Sequence, residues 1–162
     1  MDERMLRMTP SRPSPRLSSR PSAEPRSAFP HFEPLAPRWM DNDIYGHLNN
    51  VVYYSLFDTA VNHYLIAAGA LDIHGGAVIG LVVETHCNYF DSLAFPQRID
   101  AGIRVTQRGR SSVRYEIGLF AEGAETCAAL GHFIHVYVDR DSRRPVAELP
   151  LTFQHALQGL SP

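Results

Sequence analysis

The sequence predicts an α+β domain in which a curved antiparallel β-sheet wraps around one long buried α-helix. Apolar residues recur at helical spacing from Val51 to Ala68. From Ala77 to Asp139 the period changes to two, and the segments of period two are joined by short turns. Short turns connect antiparallel neighbours, whereas parallel strands need long crossovers.

Taken in order, the first element is a strand over His31 to Trp39, limited by Pro30, Pro34 and Pro37. A loop leads to Asn49 and Asn50, both good helix N-caps. The helix is marked by Val51, Tyr54, Phe57 or Asp58, Val61, Leu65 and Ala68, and it ends at Gly69, a natural C′ residue. Val52, Tyr53, Leu56, Ala60, Tyr64 and Ile66 place apolar groups on its other faces, which predicts a buried helix. Ala77 to Phe90 opens with a continuous Val/Ile/Leu run and reads as a strand. Ile99, Ala101, Ile103 and Val105 alternate with polar or small residues, as do Val113, Tyr115, Ile117 and Leu119. Thr126 to Asp139 forms a fourth long strand. Arg108-Gly109-Arg110 and Glu122 to Glu125 are turns, and Leu151 to Leu160 a short final helix.

A chain of 162 residues makes one domain, here expected over 29–162. Residues 1–28 are Arg, Ser and Pro with scarcely an apolar residue after Met8, the composition of a disordered tail. All basic residues are arginines; residues 1–28 carry a net +3 and the remainder −5, for the overall −2. An acidic folded part argues against nucleic acid as a partner. Cys87 and Cys127 form neither a C-x-x-C pair nor a secreted disulfide framework. No apolar run approaches the ~20 residues of a membrane span, and Met1 to Met8 is charged rather than apolar. A soluble cytoplasmic protein is expected, without metal or bound cofactor.

Chemistry is concentrated between Arg38 and Tyr54. Asp43 and His47 share a Gly-containing turn that enters the N-terminus of the buried helix. Free N–H groups and the macrodipole at a helix start make an oxyanion site. A carboxylate beside it can attack a carbonyl or deprotonate a water. That machinery suffices for a thioester, whose thiolate leaves without a general acid because its pKa is ~8.5. An ester or amide needs more, and no G-x-S-x-G elbow is present.

The segment Asp-x-x-Gly-His-x-Asn-Asn-x-x-Tyr, Asp43 to Tyr53, resembles the signature of the 4-hydroxybenzoyl-CoA thioesterase family of hotdog-fold acyl-CoA thioesterases. Gly109 to Val113 and Val138 to Arg140, running on to Pro145, look like that family's hairpin and final strand. The resemblance covers about residues 31–150 and implies hydrolysis of an acyl-CoA to free acid and CoA. It implies that Asp43 is the catalytic nucleophile or general base, and that the Asn50 backbone N–H is the oxyanion donor. It implies a site formed across a homodimer or homotetramer interface, with Arg108, Arg110, Ser111 and Ser112 near the CoA phosphates. Asn42 departs from the pattern, since many relatives have threonine or an acid there.

Rival readings attach to the same residues. Asp43 also suits a plain turn, and Asp41 reads as an exposed loop acid. His47 has three open roles: support of Asp43, polarisation of the substrate carbonyl, or a hydrogen bond within the turn. Asp58, on the helix, is the competing acid. His74-Gly75-Gly76 reads as a turn, and His86 beside Cys87 as a strand histidine next to a core thiol. His132 and His135 face opposite sheet surfaces. Tyr53, Tyr54 and Phe57 suit either an aromatic pocket or a helix core. Two other functions stay open: an acyl-carrier-protein thioesterase, and a non-catalytic acyl-CoA-binding module.

Overall fold

The computed structural model describes residues 21–161. Five strands, β1 (His31–Leu35), β2 (Val78–Tyr89), β3 (Ile99–Arg108), β4 (Ser112–Ala121) and β5 (Ala129–Asp139), form one antiparallel sheet in the order β1-β3-β4-β5-β2. Helix α1 (Asn50–Ala67) lies on the inner face, and α2 (Leu151–Gln158) closes one end. The alternation in β5 decides which residues meet α1. Ala129, Gly131, Phe133, His135 and Tyr137 are buried, while Leu130, His132, Ile134 and Val136 between them are half-buried.

The core is the seam between α1 and this inner face. Phe57, Ala60, Val61 and Leu65 pack with Ile103, Tyr115, Ile117, Leu119 and Phe133. The Phe57 ring rests on Gly131, where a Cβ would come within 2.3 Å of it. One chain buries a single stripe of α1; Val51 and Ile66 on the opposite side remain 63% and 44% exposed. Tyr64 ties the helix to α2 by donating its hydroxyl to the Ala156 carbonyl.

Two boundaries differ from expectation. β1 stops at Leu35, and Trp39–Asp41 forms a 3-10 turn instead, because the Asp41 carboxylate takes both the Arg38 N–H and its guanidinium. β5 begins at Ala129 rather than Thr126, because Thr126 and Cys127 pair instead with Pro25 and Glu24.

That pairing also corrects the tail. Residues 1–20 of the expected disordered segment lie outside the described residues. Residues 24–28, however, pack on the outer face of the sheet. Glu24 pairs with Arg104, and Arg26 with Asp100. Phe29 fills a notch over Gly102 and Gly118, partners in register, where a Cβ on either would come within 2.8 Å of the ring. The Glu24–Arg104 pair begins a row of polar contacts across the whole outer face. It continues through Glu116 and Arg114 to His132 and Glu84 at the β2 edge. The Arg114 guanidinium donates to His132 Nδ1, so His132 donates from Nε2 to Glu84.

Candidate active site

The loop into α1 is held at each end by Asp41. Its side chain binds Arg38, its carbonyl accepts the Asn49 N–H at 2.9 Å, and the Arg38 guanidinium holds its carboxyl below the usual range. Asp41 is 5% exposed, so it is a buried structural acid and not the exposed one expected. Asn42 fastens the loop sideways, its Oδ1 accepting the Phe95 N–H at 3.0 Å. Leu48 donates to the Leu93 carbonyl at 2.7 Å.

Between these anchors Asp43 builds a turn. Its N–H donates to the His47 carbonyl at 2.7 Å, and its Oδ1 accepts the N–H groups of Tyr45 and His47 at 2.8 and 3.3 Å. Gly46 has φ +83, the left-handed region that only glycine enters without strain. The second carboxylate oxygen, Oδ2, has no hydrogen-bond partner among the described residues. Asp43 thus forms the turn with one carboxylate oxygen and keeps the other free among the described residues. The His47 imidazole is exposed and makes no hydrogen bond among the described residues; its backbone alone builds the turn.

At the start of α1 the cap residue is satisfied and, among the described residues, the next residue's N–H is not. Asn49 gives its N–H to the Asp41 carbonyl, its side chain accepts from Val51, and its carbonyl accepts from Val52. The Asn50 N–H has no acceptor among the described residues. Asp43, Leu48, Asn50, Tyr53, Tyr89, Phe90, Asp91 and Ser92 line a hollow of about 520 Å³. A carboxylate oxygen and an amide hydrogen, both unsatisfied among the described residues, therefore share one cavity at the positive end of a helix. Tyr89 and the segment 90–92 were not foreseen, since nothing in their spacing links them to Asp43.

The hairpin residues lie elsewhere. Arg108 and Arg110 line a separate hollow of about 580 Å³ with Gly109, Ala147 and Glu148. Ser112 lines another with Gln107, Arg108 and Arg114. Ser111 uses its carbonyl to accept the Tyr137 N–H at 2.7 Å. Tyr89 pairs with Ala129 and Ser112 with Val136, so the two ends of the sheet are separated by more than about 20 Å along β5.

The other candidates lie outside this hollow. Asp58 is exposed, accepts from the Asn62 amide at 3.1 Å, and does not line the Asp43 hollow. His74 and Gly75 donate to Asp72 in a turn, as expected. Burial pushes the Cys87 thiol up to about 11, so it is no thiolate nucleophile. His132 and His135 do face opposite surfaces, with His135 inside among Tyr115, Phe133 and Tyr137. Among the described residues no three His, Cys, Asp or Glu side chains converge to hold a metal, and no helix is long and apolar enough to cross a membrane.

Residues 37–157 match the family model of the thioesterase-like superfamily. The chain belongs to that superfamily. No curated protein matches it. Among solved structures it is similar to the PA5185 protein of Pseudomonas aeruginosa, at 55% identity and TM-score 0.84, covering 86% of this chain and 97% of that one. It is also similar in fold to a 1,4-dihydroxy-2-naphthoyl-CoA thioesterase from Synechocystis, at 15% identity and TM-score 0.70, covering 78% and 94%. A DHNA-CoA thioesterase from Staphylococcus aureus matches at 21% identity and TM-score 0.68, covering 79% and 86%. The thioesterase-like superfamily member described here therefore has the hotdog fold, its curved five-stranded sheet packed on α1.

Proposed function

We propose that the chain hydrolyses an acyl-CoA to the free acid and CoA, using the hollow at the start of α1. The observation that carries this reading is the pairing of Asp43 Oδ2 with the Asn50 N–H, both without partners among the described residues, in one cavity. The thioester carbon would lie between them. Asp43 either attacks it, giving a mixed anhydride that water then opens, or removes a proton from the attacking water. The Asn50 N–H takes the negative charge that develops on the carbonyl oxygen, an interaction worth ~3–4 kcal/mol in comparable sites. CoA departs as thiolate. His47 enters through its backbone, which fixes Oδ1 and leaves Oδ2 to react.

The same reading needs a second copy of the chain. Arg108 and Arg110 line a different hollow from Asp43 in their own chain, and another chain's hairpin can be brought to the Asp43 hollow. β2 offers the edge for it: twelve residues long, with Leu81, Val82 and Val83 exposed by 39%, 45% and 60%. Such an edge is normally covered. A C₂ homodimer, or a homotetramer made of two, would cover it and complete two equivalent sites.

The test is a panel of acyl-CoA and matched acyl-carrier-protein thioesters scored by thiol release, with wild type and Asp43→Asn side by side. Hydrolysis of CoA thioesters by wild type alone supports the proposal. Preference for the carrier protein moves the substrate. Tight CoA binding with no turnover would make the chain a binding module.

A further inference from the structure

An oxygen that becomes an anion is best held by two donors, and the backbone of this hollow offers one. The N–H groups of the lining loop residues are already committed: Asp43 to the His47 carbonyl, Leu48 to Leu93, Phe90 and Asp91 to Ala128, and Ser92 to the Asp91 side chain. Tyr53 lies within α1 and Tyr89 within β2; of the remaining lining residues only Asn50 keeps a spare N–H among the described residues, which points to a side chain for the second donor. Tyr53 is 3% exposed and sits beneath the floor with its hydroxyl towards the Leu93 backbone. Tyr89 differs. It ends β2, is 42% exposed in the hollow, and its hydroxyl donates to the Asn50 carbonyl at 3.3 Å.

Three features suit that hydroxyl to a donor's role. Its ring is fixed edge-on against Tyr53, with centroids 5.0 Å apart and planes at 83°. Its present hydrogen bond is long, and goes to a carbonyl that also serves the helix ladder, so exchanging that acceptor for another costs little. Desolvation, with the neighbouring Cys87 thiol, pushes the phenol well above its usual range, so it keeps its proton at neutral pH.

We propose that the Tyr89 hydroxyl is the second donor to the substrate's carbonyl oxygen, turning from the Asn50 carbonyl to complete with the Asn50 N–H a two-donor site. This rests on the thioesterase reading of the hollow. It adds a catalytic residue contributed from the sheet, 39 residues beyond the helix start in sequence.

Tyr89→Phe keeps the ring and removes only the donor. Its kcat should fall about 10- to 100-fold with KM changed less than about twofold, and its melting temperature should match wild type. A second readout does not depend on turnover. A non-hydrolysable acyl-CoA ketone, with CH₂ in place of the thioester sulfur and a ¹³C-labelled carbonyl, reports hydrogen bonding through its infrared stretch. Bound to Tyr89→Phe it should absorb at higher wavenumber than when bound to wild type. Coincident bands overturn the role of Tyr89, even if kcat has fallen. A band shift in a wild type that hydrolyses no thioester keeps Tyr89 as a carbonyl donor and overturns the thioesterase reading. A ketone that fails to bind wild type overturns both.

Discussion

Asp41 and Asp43 stand two residues apart on one loop, and their surroundings are opposite. Asp41 is buried, both its oxygens are engaged by Arg38, and its backbone receives Asn49. Asp43 is half-buried, with one oxygen spent on its own turn and the other without a partner among the described residues. The comparison separates an acid that builds a site from an acid that can act in it. Satisfied valence marks the first, and a spare oxygen beside a spare N–H marks the second.

The sharpest way to break that comparison is to neutralise each acid. Asp43→Asn should lower turnover by about two orders of magnitude or more while leaving the melting temperature nearly unchanged. Asp41→Asn should show the reverse weighting, a loss of about 1–3 kcal/mol in denaturant unfolding. Its activity should fall only as far as the loop loosens. If Asp41→Asn is stable and inactive while Asp43→Asn turns over normally, the roles are exchanged.

Mixing sharpens it further. Asp43→Asn and an Arg108→Ala/Arg110→Ala double variant should each be inactive or nearly so. Together, after mild dissociation and reassociation, they should recover up to about a quarter of wild-type activity, because in a C₂ pair one hybrid site keeps both halves. No recovery, or a fully active monomer in sedimentation, would confine the site to one chain.

Two smaller effects concern parts that hold the frame. Deleting residues 1–20 should leave stability unchanged, whereas deleting 1–28 should cost about 1–3 kcal/mol, since Arg104 then loses the Glu24 carboxylate at 14% side-chain exposure. Equal stability of the two truncations would show that the outer-face contacts contribute nothing. His135 supplies a pH effect. Burial pushes its imidazole down to about 4, against ~6.5 in the unfolded chain. Between these values the unfolded state binds a proton that the folded state does not. Stability is therefore complete above about pH 6.5 and falls towards pH 4, by up to roughly 3 kcal/mol. His135→Phe should flatten that slope, and an unchanged acid slope would place its origin in other groups.

The sequence carried the fold because its signals are local: the change of period after Gly69, the asparagines before Val51, and the hairpin at Gly109. It singled out Asp43 and Asn50, which line one hollow, because they belong to one continuous motif. It did not carry the burial of Asp41, which depends on Arg38 folding back over a 3-10 turn where a strand was expected. Nor did it carry Tyr89, whose link to Asn50 exists only once β2 lies beside α1. The strap at 24–28 was hidden for another reason. Glu24 and Arg26 look solvated in isolation, and their partners Arg104 and Asp100 come from β3. Gly102 and Gly118 were a signal that was available: two glycines on the outer face of neighbouring strands leave a groove that something must fill.

That strap has a practical consequence. Residues 24–28 cross the sheet on the surface opposite α1, so the chain arrives at the domain from behind its hollow. A fluorescent reporter attached within residues 24–28 would sit on the rear of the molecule, away from the mouth between Asp43 and Tyr89.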